Sequence, residues 1–277
     1  MLLSSHTCCE KICIDMLNRL FRYGIYKFFG FPNYLRRLQW PCVSKLLDLN
    51  GVGVLIDLGA GPMHYSIKLA QGSNFSVIAV DLDFSAEDVD VARKSGVKPI
   101  RANGQKLPFG DQSVDRVLMS SLLHMVPDLN ALLLETRRVL KKNGHIVLSV
   151  PNNYHYIPRL LKSPIARLFN LPGDEESLIT YLNDSFNVGG PQGYYSVSEL
   201  TDLLFQAGLR IIEHEYSPGK FGSLLWELGV LAYARFGNVA FHLLFFFYPF
   251  AKLIDATYDK SLIGSEHILK IQRVLDE

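Results

Sequence analysis

The sequence carries almost no net charge and few charged residues. Its 28 Lys and Arg residues are balanced by 27 Asp and Glu residues, which leaves a formal charge of +1 over 277 residues. Proteins that bind nucleic acid through its phosphates rely on an excess of basic residues, so this balance argues against a DNA or RNA partner. Charged residues make up 20% and hydrophobic residues 48% of the chain. This composition excludes intrinsic disorder and predicts a large buried core.

Cysteine is scarce and confined to one end of the chain. All four cysteines lie within the first 42 residues, at Cys8, Cys9, Cys13 and Cys42. A metal site would need paired Cys-x-x-Cys or Cys/His ligands at recurring spacings, whereas here two cysteines are adjacent and His6 is the nearest histidine. The spacing therefore predicts reduced, unpaired thiols and no metal site.

A long uninterrupted apolar run is also missing. Residues 224–254 are the most apolar part of the chain, but they contain Glu227, Arg235, Asn238 and Lys252. A membrane-spanning helix needs about 20 mostly apolar residues without central charges. The first 30 residues carry charged side chains too early for a signal peptide. We therefore expect a cytoplasmic protein without a spanning helix.

Short β-branched runs alternate with helical stretches through the middle of the chain. The pattern predicts strands at residues 52–58, 77–81, 97–101, 115–120, 145–150, 209–214 and 267–274. It predicts helices at residues 65–71, 86–94, 129–140 and 198–207, the last one capped by Ser196 with Glu199 three residues later. Strands separated by helices at this rhythm form parallel βαβ units, so we predict an open α/β sheet. Ligands of such sheets bind at the carboxyl ends of the strands.

The first predicted strand runs directly into a glycine turn. Residues 54–62 read VLIDLGAGP, in which Gly59 and Gly61 permit a tight turn and let a ligand approach the backbone. Asp81 ends the next strand, where a carboxylate can accept hydrogen bonds from both hydroxyls of a ribose. Asp57 is placed to meet a cationic ammonium group. These residues indicate a nucleoside-containing cofactor, although a glycine turn alone also occurs in α/β folds without one.

Three further segments carry a family resemblance. Residues 102–115 (ANGQKLPFGDQSVD), 123–128 (LHMVPD) and 135–144 (ETRRVLKKNG) resemble, in order and spacing, the class I S-adenosylmethionine-dependent methyltransferases. Within this superfamily, the sequence most resembles the branch that includes the ubiquinone and menaquinone biosynthesis methyltransferases. The resemblance covers roughly residues 50–152. It implies a Rossmann-like α/β fold with a seven-stranded, mostly parallel sheet, helices on both faces and helical insertions. It also implies S-adenosylmethionine as the cofactor.

The resemblance assigns cofactor roles to residues of this sequence. The implied cofactor-binding residues are Asp57, Gly59, Ala60, Gly61, Asp81, Leu82, Asn103, Gly104, Gln105 and Ser120. Asp57 and the two glycines would line the methionine and ribose, Asp81 would bind the ribose, and Asn103 and Gly104 would face the adenine. Ser120, with its neighbour Ser121, would lie beneath the sulfonium.

The glycine turn departs from the family pattern at one position. Met63 stands where a third glycine is usual, so we expect the next helix to begin differently. The same departure argues against a nicotinamide dehydrogenase, which needs that glycine for close packing of helix and strand.

The resemblance and the residues together suggest a reaction. A methyl acceptor must be aligned with the sulfonium, and an oxygen acceptor benefits from a general base. His124 lies just after the fourth strand and is the first candidate for that base, with a packing or cofactor-contact role as the alternative. The weaker candidates are His64, Tyr65, His155, Tyr194 and Tyr195.

The segment after the fourth strand narrows the acceptor class. Residues 120–123 read SSLL and lack the Asn/Asp-Pro-Pro-Tyr/Phe signature of enzymes that methylate nucleic-acid bases. We therefore expect methyl transfer to an oxygen of a small hydrophobic, lipid-linked or glycan/natural-product acceptor. The alternative is a cofactor-binding protein that performs other chemistry, such as cyclisation, or serves as a non-catalytic partner.

The sequence divides into four parts. We predict an N-terminal helical cap at 1–50, a cofactor-binding core at 51–151, a substrate-side insertion at 152–197 and a C-terminal part at 198–277 with an apolar helical insertion at 216–265. The first 50 residues hold seven Lys and Arg against three acids, including Arg19, Arg22, Lys27, Arg36 and Arg37. Two interpretations of the apolar insertion stay open: contact with an acceptor or membrane surface beside this basic region, or core and a homodimer interface.

Overall fold

A seven-stranded sheet forms the centre of the computed structural model, which describes residues 34–152, 195–217, 219–236, 247–257 and 266–274. Its strands are β1 (Val52–Leu58), β2 (Asn74–Asp81), β3 (Lys98–Arg101), β4 (Val114–Ser120), β5 (Leu140–Pro151), β6 (Leu209–Tyr216) and β7 (Glu266–Arg273). Their order is β3-β2-β1-β4-β5-β7-β6. All neighbours pair in parallel except β7, which is antiparallel to both β5 and β6. The predicted mostly parallel sheet is confirmed.

Helices cover both faces of this sheet. They are α1 (Tyr34–Leu47), α2 (His64–Gly72), α3 (Ala86–Lys94), α4 (Leu129–Val139), α5 (Val197–Gln206), α6 (Lys220–Phe236) and α7 (Tyr248–Thr257). Leu55 of β1 packs with α1 and α2, whereas the adjacent Ile56 packs with α4 and α5 on the other face. Successive strand residues point to opposite faces, so a continuous apolar run suits a strand buried on both sides.

The strand order reverses between β1 and β4. From β1 the chain moves outward through β2 to β3, and it then returns to place β4 on the other side of β1. In an open α/β sheet, this reversal leaves a crevice at the carboxyl ends of the strands. Ligand-binding residues are therefore expected after β1, β2 and β4.

The apolar insertion between β6 and β7 contains two described helices, α6 and α7. Asp255 of α7 accepts hydrogen bonds from the backbone N–H groups of Phe221 and Gly222, both at 2.9 Å, in the first turn of α6. The two helices therefore pack against each other through a specific polar contact. Among the described residues, no helix combines the length and the apolar character that a membrane crossing requires.

Candidate active site

The glycine turn after β1 has the conformation that only glycine adopts easily. Gly59 has φ 73° and Gly61 has φ 49°. A Cβ on Gly59 would lie 2.6 Å from Leu122 Cδ1, whereas a Cβ on Gly61 would meet no atom within 4 Å. Glycine at position 59 thus suits the positive φ and the close Leu122 side chain, and Gly61 borders open space. A ligand can approach the backbone at Gly61 without displacing a side chain.

Asp81 at the end of β2 is tied to this turn. Its Oδ2 accepts from the Gly61 N–H at 2.7 Å, and its Oδ1 accepts from the Leu82 N–H at 2.7 Å. A carboxylate oxygen accepts more than one hydrogen bond, so both oxygens can still receive a ribose hydroxyl. Leu82 beside it is 71% exposed and offers an apolar surface. This geometry fits the ribose end of S-adenosylmethionine.

Met63 precedes helix α2 in the left-handed conformation. Its φ is 57°, and its side chain is fully buried against Ile67, Phe84 and Ala92. The position thus takes a backbone conformation that glycine adopts readily, and the methionine side chain adds to the packing between α2 and α3.

The loop after β3 brings together the residues expected near the adenine. The Asn103 Oδ1 accepts from the Gln105 N–H at 2.9 Å, and the Gln105 Nε2 donates to the Asp128 carbonyl at 3.1 Å. A Cβ on Gly104 would lie 2.8 Å from Leu132 Cδ1, so glycine lets the loop lie directly on α4. Contact of these residues with an adenine stays a prediction.

Asp57 lies at the end of β1 and is 2% exposed. It accepts a hydrogen bond from the Ser66 hydroxyl at 2.5 Å. Burial raises the pKa of Asp57 to about 6, while the Ser66 hydrogen bond and the nearby Arg36 charge oppose that rise. A carboxylate in this setting gains from a cationic partner, which fits the predicted pairing with an ammonium group.

Three serines lie at the carboxyl ends of β4 and β5. The Ser120 and Ser149 hydroxyl oxygens are 3.0 Å apart, and both residues are buried. The backbone of Ser121 is in the left-handed conformation, with φ 50°, and its N–H donates to the Ser149 carbonyl at 2.9 Å. Non-glycine residues in this conformation are often found at functional sites.

Arg36 of α1 reaches across to these serines. Its Nη1 donates to the Ser120 hydroxyl and, at 3.1 Å, to the Ser121 hydroxyl. Its guanidinium carbon lies 5.4 Å from the centre of the Tyr65 ring. Sequence reasoning grouped Arg36 with basic residues that could face a membrane, but the structure places it over the carboxyl edge of the sheet. Arg36 and Ser120 are separated by 84 positions in the sequence, so no local motif reveals this contact.

His124, the candidate base, lies on a short 3-10 turn (Leu123–Met125) after β4. It is 5% exposed, and its Nδ1 has no hydrogen-bond partner within the described part of the chain. Burial and the neighbouring Arg36 charge lower the pKa of His124, so the imidazole is neutral at neutral pH. A neutral imidazole can accept a proton.

The weaker base candidates differ in placement. Burial raises the pKa of both Tyr65 and Tyr195, so their hydroxyls keep their protons at neutral pH. The Tyr65 hydroxyl lies 3.2 Å from Gln39 Oε1, and His64 begins α2. His155 and Tyr194 lie outside the described residues.

A buried carboxylate that no sequence motif predicts lies at the start of β7. Glu266 is 5% exposed and accepts from the Gln39 Nε2 at 2.6 Å. The sequence separation is 227 residues, so only packing of α1 on the sheet brings the two together.

The sheet order and the glycine turn with Asp81 beyond it define the class, a Rossmann-like α/β protein with the class I methyltransferase fold. Residues 56–148 match the family model described as a methyltransferase domain. Over these residues the chain is therefore similar to the class I S-adenosylmethionine-dependent methyltransferases, whose cofactor is S-adenosylmethionine.

Relatives and solved structures agree with this family. A ubiquinone/menaquinone biosynthesis C-methyltransferase of a Geobacter species is 32% identical over 143 residues, which cover 48% of this chain. The chain spans 56% of that relative. An uncharacterized protein of Methanocaldococcus jannaschii is 26% identical over 185 residues, covering 65% of this chain and 69% of its own length.

Two solved structures share the fold. Geranyl diphosphate C-methyltransferase from Streptomyces coelicolor has a TM-score of 0.55 at 19% identity, covering 87% of this chain and 82% of that chain. The cyclase SpnF has a TM-score of 0.54 at 16% identity, and the match covers 85% of this chain and 80% of that chain. At these identities the likeness shows the fold alone.

Proposed function

We propose that this protein is an S-adenosylmethionine-dependent methyltransferase that acts on a small hydrophobic, lipid-linked or glycan/natural-product acceptor. The observation that carries the proposal is the position of the Asp81 carboxylate. It accepts a hydrogen bond from the Gly61 N–H at 2.7 Å, and the space next to Gly61 is open. When bound, the cofactor supplies a methyl group on a sulfonium, an activated leaving group. The protein has to orient both reactants, exclude water and accept a proton.

Asp57 and Arg36 supply opposite charges where we place the methionine end of the cofactor. Their charges interact, and both lie beside the carboxyl ends of β1 and β4. An amino acid carries its ammonium and carboxylate on one carbon, so a neighbouring carboxylate and guanidinium match it. We assign Asp57 to the ammonium and Arg36 to the carboxylate, because a guanidinium binds a carboxylate through two parallel hydrogen bonds.

The narrower proposal is an oxygen acceptor that loses its proton to His124. The Nδ1 of His124 has no hydrogen-bond partner among the described residues, and we assign it to receive that proton. The names of the relatives favour carbon as the second candidate, since the Geobacter protein and the geranyl diphosphate enzyme are both named as C-methyltransferases. A proton must also leave a carbon acceptor, so His124 could serve either reaction.

Calorimetric titration tests the cofactor assignment. We expect the wild-type protein to bind S-adenosylmethionine and S-adenosylhomocysteine, and Asp81→Ala to weaken both because the ribose acceptor is lost. The matched control is Asp90→Asn on the exposed side of α3, which should bind as the wild type does. An absence of binding by the wild type would contradict the proposed function.

One probe distinguishes the acceptor atoms. A prenylated naphthohydroquinone offers both hydroxyl groups and a ring carbon, and a cofactor with a carbon-13 methyl group lets NMR locate the transferred methyl. A methoxy signal supports oxygen transfer, and a ring-methyl signal supports carbon transfer. Cofactor binding without transfer to this or other acceptors would favour the non-methylating alternative, cyclisation or a partner role.

A further inference from the structure

Glu266 is a buried carboxylate that the proposed reaction does not use. It begins β7 directly opposite Pro151 of β5, at the same sheet edge as Ser120 and Ser121. Burial raises the pKa of Glu266, while the Arg36 charge and the hydrogen bond from Gln39 oppose that rise. A buried carboxylate needs such partners to remain ionised.

Two side chains connect Glu266 to Arg36. Gln39 lies one turn along α1 from Arg36; its Oε1 accepts from Arg36 Nη1 at 3.4 Å, and its Nε2 donates to Glu266 at 2.6 Å. The Ser121 hydroxyl accepts a hydrogen bond from Arg36 at 3.1 Å and donates one to the Glu266 carboxylate at 3.5 Å. Both connections run in the same direction, from the guanidinium donor to the carboxylate acceptor.

A third connection has the same direction. Arg36 donates to the Ser120 hydroxyl, which lies 3.0 Å from the Ser149 hydroxyl, and Ser149 hydrogen-bonds Glu266. Since Glu266 accepts at the end of every connection, Gln39 must present its amide oxygen to Arg36, and the Ser120 and Ser121 hydroxyls must each keep a lone pair facing Arg36.

We propose that Glu266 is a positioning residue that orients Arg36, through Gln39 and the serines, to receive the carboxylate of the cofactor. This inference rests on the proposed function, which assigns that carboxylate to Arg36. Without Glu266, the Gln39 nitrogen and the Ser121 and Ser149 hydroxyls lose the carboxylate that accepts from them. Apart from Arg36 itself, only the Tyr65 hydroxyl among the described residues then holds the Gln39 oxygen in place. The guanidinium then loses the fixed direction that a two-bond contact with a carboxylate requires.

Attachment of α1 to the sheet does not require a carboxylate. Val43, Leu46 and Leu47 of α1 are almost fully buried against the same face of the sheet, next to Ile268 of β7. An apolar residue at position 266 would add to this packing without the cost of a buried charge. The polar connections therefore indicate a role in orienting Arg36 rather than only in holding the helix.

The test compares two ligands that differ by one group. S-adenosylhomocysteine and its decarboxylated counterpart share the nucleoside, thioether and amine. The Kd of the decarboxylated compound divided by the Kd of S-adenosylhomocysteine therefore reports the carboxylate contact alone. We expect Glu266→Leu to reduce this ratio about tenfold, the effect of losing one well-oriented hydrogen bond to a charged group. Glu266→Gln keeps an acceptor oxygen and should retain most of the ratio.

Two further variants make the result decisive. Gln39→Leu removes one connection and should also reduce the ratio, which keeps the inference testable if Glu266→Leu does not fold. Val43→Ala loosens the same helix by packing alone and should leave the ratio unchanged. An unchanged ratio in Glu266→Leu and Gln39→Leu, or an equal reduction in Val43→Ala, would overturn the positioning role. Wild-type protein that binds neither ligand would instead overturn the proposed function.

Discussion

Asp57 is the residue whose protonation bears most directly on cofactor affinity. Burial raises its pKa to about 6 in the free protein, and a bound ammonium would lower that pKa again. Binding below pH 6 therefore has to expel a proton. We expect the affinity for S-adenosylhomocysteine to fall as the pH decreases through about 6, by at most about tenfold per pH unit.

Calorimetry from about pH 5 to about pH 8 measures this dependence. Asp57→Asn cannot ionise, so it should bind more weakly at pH 7 and with a flatter pH profile. The exposed Asp90→Asn should keep the wild-type profile. A wild-type affinity that is constant over this range would rule out an ionised Asp57 as the partner of the ammonium.

Substitutions at Met63 test whether the stability gained by burying its side chain exceeds the cost of its left-handed backbone. Truncating a buried methionine costs about 2–5 kcal/mol, whereas a left-handed non-glycine residue costs about 1–2 kcal/mol. We therefore expect Met63→Gly to lower the free energy of unfolding by about 1–3 kcal/mol, measured by urea denaturation. Met63→Leu keeps both the volume and the strain and should lose less than about 1.5 kcal/mol. A Met63→Gly variant more stable than the wild type would show that strain dominates.

At the scale of elements, Asp255 links α7 to the first turn of α6. Its two oxygens accept from the Phe221 and Gly222 N–H groups, and a helix supplies no acceptor of its own to the N–H groups of its first turn. Asp255→Ala should destabilise α6 by about 1–2 kcal/mol, the usual cost of losing a helix cap. Hydrogen exchange of these two amides measures the loss. Asp255→Asn keeps one acceptor and should lose less; unchanged exchange in Asp255→Ala would refute the capping role.

Elements with a local signal were predicted well. Ser196 forms the predicted capping box with Glu199, because both partners lie within one turn of the chain. The start of β5 was placed too late, at residue 145 instead of Leu140, because its first residues are polar and their pairing with β4 is irregular. Such pairing depends on the neighbouring strand, and no periodicity within the segment reports it.

The site also contains residues that a local sequence pattern predicts and residues that only long-range packing brings together. Gly59, Gly61 and Asp81 belong to one strand-turn-helix-strand unit, so their spacing could predict a shared cofactor site. The structure joins Gly61 to Asp81 by a hydrogen bond. Arg36, Gln39 and Glu266 come from opposite ends of the described chain and meet only when α1 packs beside β7. Their chemistry depends on long-range packing, which a single sequence does not encode in any short pattern.

The exposed apolar side chains of α7 bear on how the whole molecule meets its acceptor. Phe250 and Leu253 are each 65% exposed and lie three residues apart, hence on one side of the helix. Phe247, just before α7, is 56% exposed and extends this side. Arg36 lies over the carboxyl edge of the sheet, but the other six basic residues of the first 50, against three acids, would complement an anionic lipid surface. We therefore propose peripheral membrane contact rather than a homodimer through this surface.

Flotation with vesicles that contain anionic lipid tests this contact. We expect the wild type to float at low salt and to be released at high salt, because screening weakens the attraction of basic residues to the lipid. Phe250→Ser combined with Leu253→Ser should abolish flotation, while Phe205→Ser, an equally exposed aromatic on α5, should not. If the wild type stays with the unbound fraction and light scattering shows a dimer that the double variant lacks, the surface is a homodimer interface. Because the acceptor of a membrane-bound enzyme is concentrated in the lipid, the outcome also decides whether soluble or vesicle-borne acceptors should be tried first.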